Sequence, residues 1–311
     1  MSLDPRARRF LDLLAATNPP SAGSLSVAER RAALTQLMGF AGPPAPVAAV
    51  DERAIAGAAG PLPARLYTPL GTTGGLHAGV VYFHGGGLVA GSVATHDPIA
   101  RALANASGSR VLSVDYRLAP EAPFPAAVDD AVATIEYVRA RGADVGIDGE
   151  RLVVVGDSAG ATLVAVACQQ LATASRPTPR LQVLLCPILD YAGATESRRA
   201  LAEGYLVDAA TLEHDLRHYA PAAGCASDPR VSPLRAPDLR GVPPATIHSA
   251  EFDPLRDEAR LYADRLRDAG VSVTHTCHAG MIHLFYGLGG VIPYAKTAMQ
   301  LVGAEIRAAS S

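Results

Sequence analysis

A chain of 311 residues with 27 basic and 30 acidic side chains, formal net charge −3, has no basic stripe for a nucleic acid and no charge run of the kind that stays solvated. Its length suits one large domain or two small ones and is enough to bury a core without staples. Cys168, Cys186, Cys225 and Cys277 lie far apart with no C-x-x-C pair, which argues against a metal cage or a disulfide scaffold and for buried thiols in a reducing cytoplasm.

In chain order, Arg6, Arg8 and Arg9 followed by apolar residues 10–16 imitate a signal peptide, but Asp12 interrupts a stretch that is already short. Phe10, Leu13 and Leu14 share a helical face, so an amphipathic helix is expected instead. Residues 4–40 read as two helices. Ser26 and Glu29 form a capping box for the second, which carries Leu34, Leu37 and Met38 on one side. Residues 41–46 make a stiff Pro-rich linker, and 47–68 read as a hairpin turning between 57 and 63. No apolar run approaches the ~18 residues of a membrane span, so a cytoplasmic protein without stable membrane insertion is expected.

From residue 78 the pattern alternates. Strands are predicted at 79–83, 110–114, 151–155, 181–186, 244–250 and 271–277. Helices are predicted near 95–106, 125–141, 159–172, 256–269 and 291–308. The implied class is α/β, a mostly parallel central sheet flanked by helices. Residues 190–240 break the rhythm, with one helix near 208–219, and read as an insertion over the carboxyl edge of the sheet.

Two strings sit where a predicted strand gives way to a loop. His84-Gly85-Gly86-Gly87 follows Val80-Val81-Tyr82-Phe83, and Gly156-Asp157-Ser158-Ala159-Gly160 follows Leu152-Val153-Val154-Val155. The second fits the nucleophile elbow G-x-S-x-G, and the first fits the loop that lends backbone N–H groups to an oxyanion hole. Ser158 then needs a carboxylate and a later histidine, each at a strand's exit. Asp253 leaves the strand predicted at 244–250; its structural alternative is a helix cap ahead of Pro254. Glu251 is the alternative acid, and Asp257 and Glu258 are expected to face solvent. Of the histidines that follow, His275 reads as packed on a sheet face and His278 as lying at a strand edge. His283, between Gly280 and Phe285, is free to reach Ser158 as the base. Gly85, Gly86 and Ala159 are the expected oxyanion donors. Gly87 completes the glycine loop, and His84 is expected to hold it by hydrogen bonds. Residues 85–90 also fit a dinucleotide pattern, with Asp115 as its acid, but no helix opens at the glycines.

These residues resemble the bacterial hormone-sensitive-lipase-like esterases (family IV) of the α/β-hydrolase fold, in the branch with Gly-Asp-Ser-Ala-Gly at the elbow. The resemblance runs from about Val80 to about Gly287. It includes residues 115–121, residues 124–127, Asp253-Pro254-Leu255-Arg256-Asp257-Glu258 and Gly280-Met281-Ile282-His283. It implies a triad of Ser158, Asp253 and His283, with Gly85, Gly86 and Ala159 as oxyanion donors. It also implies a helical cap made of residues 1–45 and an insertion at about 190–225 upon a catalytic domain of 46–311. Leu88 and Leu284 depart from the family pattern, in which an aromatic follows the glycines and a glycine follows the histidine.

The expected function is a serine carboxylesterase acting on short- to medium-chain esters through an acyl-enzyme, with a small-molecule ester as partner and neither cofactor nor metal. Two alternatives use the same fold: an amidase or deacetylase with the same triad, and a ligand-binding receptor. The motifs do not encode oligomeric state, and a homodimer stays open.

Overall fold

The computed structural model describes residues 2–18, 20–72 and 74–311. α1 (Pro5–Ala16) starts at Asp4, whose carboxylate accepts from the backbone N–H of Arg6 and Ala7. α2 (Val27–Met38) carries the expected capping box. Ser26 Oγ accepts from Glu29 N at 3.3 Å, and Glu29 Oε2 accepts from Ser26 N at 2.8 Å. α1 buries Ala7, Phe10 and Leu11, while Leu13 is 50% exposed. The buried stripe follows the i, i+3, i+4 spacing from Ala7, which leaves Leu13 off its edge. α2 buries Leu34 and Met38, and Leu37 is only half-buried.

β1 (Ala49–Gly57) and β2 (Gly60–Thr68) form a hairpin closed by the Gly57–Gly60 pair, a tighter turn than expected. The alternating part follows as β3 (His77–Phe83), α3 (Asp97–Ser107), β4 (Arg110–Val114), α4 (Ala126–Arg141), β5 (Ile147–Asp157), α5 (Ala159–Thr173) and β6 (Leu181–Leu185). Next come α6 (Glu196–Ala200) and α7 (Ala209–Tyr219), then β7 (Ala245–Phe252), α8 (Arg256–Asp268), β8 (Val273–Ile282) and α9 (Tyr294–Ser310).

The strands make one sheet in the order β1-β2-β4-β3-β5-β6-β7-β8. β2 is antiparallel to β1 and β4, and the six strands from β4 to β8 in that order run parallel. Because side chains alternate along a strand, both faces of this sheet are apolar. Val81, Phe83, Val154 and Leu184 join the core under α4, α5 and α8. Val80, Tyr82, Val153 and Val155 join the core under α3 and α9, which also takes Phe10, Leu34 and Met38 from the two N-terminal helices.

Strands β7 and β8 run further than predicted. A register shift after Ala250 lets Phe252 pair with Ile282, so Asp253 and His283 leave adjacent strands side by side. On the neighbouring strands the pair Asp157–Leu185 ends the ladder, and Ser158 is the next residue. Parallel strands therefore bring these residues to one carboxyl edge, where open α/β sheets bind ligands. The cysteines are free; Cys168 and Cys186 are buried as expected, but Cys225 is partly accessible and Cys277, on the edge strand β8, is exposed.

Candidate active site

Ser158 holds a left-handed backbone, φ 52, at the N-terminus of α5. So tight a strand-to-helix turn needs bare α-carbons on both sides. A Cβ on Gly156 would run into the Gly160 carbonyl, and one on Gly160 into the Phe83 carbonyl. The Ser158 N–H donates to Leu185 O at 2.8 Å, which ties the elbow to the next strand.

A continuous run of hydrogen bonds crosses the site. Ser158 Oγ lies 3.0 Å from His283 Nε2, and His283 Nδ1 lies 2.8 Å from Asp253 Oδ2. Asp253 Oδ1 accepts from Leu255 N at 2.9 Å. The cap-like bond and the histidine bond thus use different oxygens of one carboxylate, and α8 itself opens later, at Arg256. All three side chains are buried, Ser158 the least. Burial disfavours a charged imidazole, but the adjoining Asp253 carboxylate outweighs it and holds the His283 pKa above its ordinary value.

The other candidates have different partners. Glu251 Oε2 accepts from Gly280 N at 2.8 Å. His275 bonds Ser249 Oγ, and His278 lies between His248 Nδ1 and the Tyr294 hydroxyl, each at 3.1 Å. Glu258, expected in solvent, is fully buried. It accepts from the backbone of Leu189 and Asp190 and pairs with Arg198, a partner from α6 that local sequence does not announce. Asp257 is turned the same way and accepts from Ser197 N at 2.8 Å. Asp115 accepts from Val93 N, and α3 opens at Asp97, well past the glycines, so the dinucleotide pattern has no helix behind it.

The glycine loop corrects one expectation. The Gly85 N–H donates to Asp157 Oδ1 at 2.9 Å and is therefore spent inside the protein. Asp157, between the elbow's first glycine and Ser158, also accepts from the Tyr82 hydroxyl at 2.5 Å. Burial raises its pKa. His84 Nδ1 meets Gly85 O at 2.7 Å, and the Tyr116 hydroxyl donates to the His84 backbone carbonyl at 2.6 Å. Asp157, Tyr82 and Tyr116 were missed by the sequence reading; an acid at the end of an apolar strand was the available signal.

Cys186, Asp253 and His283 each present a ligand atom within 4.8 Å of the other two. Carboxylate and imidazole already bond one another, and burial followed by the Asp253 charge pushes the thiol pKa well up. The Asp253 Oδ2–His283 Nδ1 bond at 2.8 Å occupies one ligand atom of each, so those two atoms face one another rather than a shared ion. Among the described residues no helix is long and apolar enough to cross a membrane.

A family model described as alpha/beta hydrolase fold matches residues 80–287. An ethyl acetate hydrolase from Pseudomonas putida is 39% identical over 78% of this chain and 76% of its own. The carboxylesterase NlhH of Mycobacterium tuberculosis is 36% identical over 95% of this chain and 92% of its own. An ester hydrolase from the metagenome of Lake Arreo, solved with a bipyridine phosphonate derivative, superposes with a TM-score of 0.95 at 40% identity and covers 98% of both chains. The chain belongs to the hormone-sensitive-lipase-like esterases of the α/β-hydrolase fold.

Proposed function

We propose that Ser158 is the nucleophile, His283 the general base and acid, and Asp253 the carboxylate that orients the imidazole. The chain is a carboxylic ester hydrolase. His283 Nε2 takes the Ser158 proton as Oγ attacks the ester carbonyl carbon. The proton then passes to the leaving alcohol, and a water activated the same way releases the acid. Asp253 stabilises the transient imidazolium and keeps Nε2 free to accept. The observation that carries this reading is the unbroken run from Asp253 through His283 to Ser158, at 2.8 and 3.0 Å. With the Gly85 N–H committed to Asp157, the oxyanion donors proposed are the N–H groups of Gly86, Gly87 and Ala159.

Residues 1–45 and about 190–225 are proposed as a cap over this edge. Support comes from Arg30 of α2 paired with Asp215 of α7 and from His214 Nε2 against Leu25 O at 3.0 Å. A cavity of about 180 Å³ lies among Tyr191, Leu212, Leu216 and Pro254, the residue after Asp253, and no triad or glycine-loop side chain lines it. The proposed substrates are esters with acyl chains of roughly two to eight carbons. Cytoplasmic residence is proposed from the four free thiols.

A panel of p-nitrophenyl esters from C2 to C16, with a p-nitroanilide control and a serine-directed phosphonate, tests the reading. Labelling of Ser158 alone, a burst of nitrophenol and a higher kcat/KM on C4 than on C16 are expected. A C16 preference would refute the capped pocket. Efficient anilide cleavage would favour an amidase, whose triad is identical. A receptor would show no turnover, but all three groups are present and bonded to one another.

A further inference from the structure

Adjacent arginines of α2 reach into the boundary between the two N-terminal helices, α7 and the glycine loop. The Arg30 guanidinium forks onto Asp215 of α7, Nε to Oδ1 at 3.2 Å and Nη2 to Oδ2 at 2.8 Å. Arg31 Nε donates to Val89 O at 2.9 Å and Nη2 to Ala119 O at 3.2 Å, holding the segment just after the glycines. Asp215 is buried, with His214 Nδ1 beside Oδ1 at 3.0 Å. Its carboxylate occupies the space where Gly87 has no side chain: a Cβ there would collide with Oδ2. Gly87 also holds φ 68, so both backbone and contact demand glycine.

A buried carboxylate against the glycine loop is a problem for a reaction that develops negative charge on that loop. Like charges repel, and a buried setting screens them weakly. The Arg30 fork, planar and always charged, cancels the carboxylate while holding it still. We propose that Arg30 is a positioning residue for ester hydrolysis, seating Asp215 against Gly87 and neutralising it where the tetrahedral oxyanion forms. This rests on the reading of Gly86 and Gly87 as oxyanion donors.

The test is steady-state kinetics on a C4 ester for Arg30→Met, Arg30→Lys, Asp215→Asn and the double variant Arg30→Met/Asp215→Asn. Arg30→Met leaves the carboxylate without its cation, so kcat should fall about 10- to 100-fold with KM within about threefold. The double variant removes both charges and should recover to within about fivefold of the parent enzyme. A merely structural arginine would lower Tm and the fraction of sites titrated by phosphonate while leaving kcat per titrated site unchanged, so both are read for every variant. Parent-like kcat in Arg30→Met, or a double variant as slow as the single, would overturn the proposal. If Arg30→Met does not fold, Arg30→Gln decides: it keeps a hydrogen-bond donor to Asp215 and loses the charge, so a kcat about 10-fold lower supports the role and an unchanged kcat sinks it, while Arg30→Lys, which keeps the charge, should stay within about fivefold of the parent. Ser158→Ala runs alongside, since activity surviving there would refute the nucleophile reading whatever Arg30 does.

Discussion

Asp253 and His283 step off adjacent strands one residue after the backbone pair Phe252–Ile282, and Ser158 follows the pair Asp157–Leu185. Arg30 and Asp215 instead meet across 185 residues of sequence, from two helices that share no backbone ladder. In the first region the hydrogen-bonded sheet sets side-chain positions, so a mutation there is expected to remove the proposed chemistry without moving the frame. In the second, position is set by apolar stripes and by arginine–carboxylate pairs, so under the cap reading proposed above a mutation there should change stability together with access to the site. The strand-end framework is rigid by construction, and the helical covering is the part that side chains tune.

The sharpest break of that comparison is Ser158→Ala. It should lower kcat by about 10⁴-fold or more while Tm stays within about 2 °C, because an alanine methyl fits the elbow. Loss of the fold along with activity would show that the elbow is not the rigid frame described. Asp253→Asn should cost about 10³- to 10⁴-fold in kcat, as the imidazole loses its orienting charge.

The pH profile tests the same contact. As the proposed base, His283 would act only when neutral, and Asp253 holds its pKa above the ordinary value of about 6.5. kcat/KM should therefore rise with pH to a midpoint above about 6.5, and the residual activity of Asp253→Asn should show a lower midpoint. An unchanged midpoint would mean that the carboxylate does not govern the base.

Next in size are effects on stability. Phe10 is 2% exposed and stacks edge-on against Phe40 at 5.1 Å. Phe10→Ala should cost about 3–5 kcal/mol in urea unfolding, with Ser158 still labelled by phosphonate. A loss below about 1 kcal/mol would show that α1 is not packed as described.

His84 and His96 are buried and held at about 4 by desolvation. The unfolded chain takes up their protons first on acidification. The pair's contribution is thus complete above about 6.5 and is lost as pH falls toward 4. Replacing His96 by Gln should flatten the acid limb of a stability profile, and an unflattened limb would exclude it as a contributor. The smallest effect is expected at the rim. Glu121, 64% exposed where it meets Arg31, should give less than about 1 kcal/mol on Glu121→Gln, against the larger kinetic cost at Arg30.

Much of this was legible in the chain. The two strand–loop strings, the alternation after residue 78 and the Ser26–Glu29 box are local patterns with local physical causes. A G-x-S-x-G turn needs its glycines wherever it occurs, and an apolar β-branched run of five residues becomes a buried strand in almost any α/β setting.

The sequence by itself therefore determined the fold class and most of the elements, though not the short helix α6 or the full length of β7 and β8. Only the tertiary structure decided which N–H groups remain available, that Glu258 is buried, and that Leu13 faces solvent while Leu11 does not. The reason is the same in each case. A backbone donor, a buried acid or a helix edge takes its meaning from a partner far along the chain: Asp157 for Gly85, Arg198 for Glu258, Asp215 for Gly87. Propensity and periodicity act over a few residues, whereas those pairings exist only once the sheet has brought the loops to one edge and the helices have closed upon it.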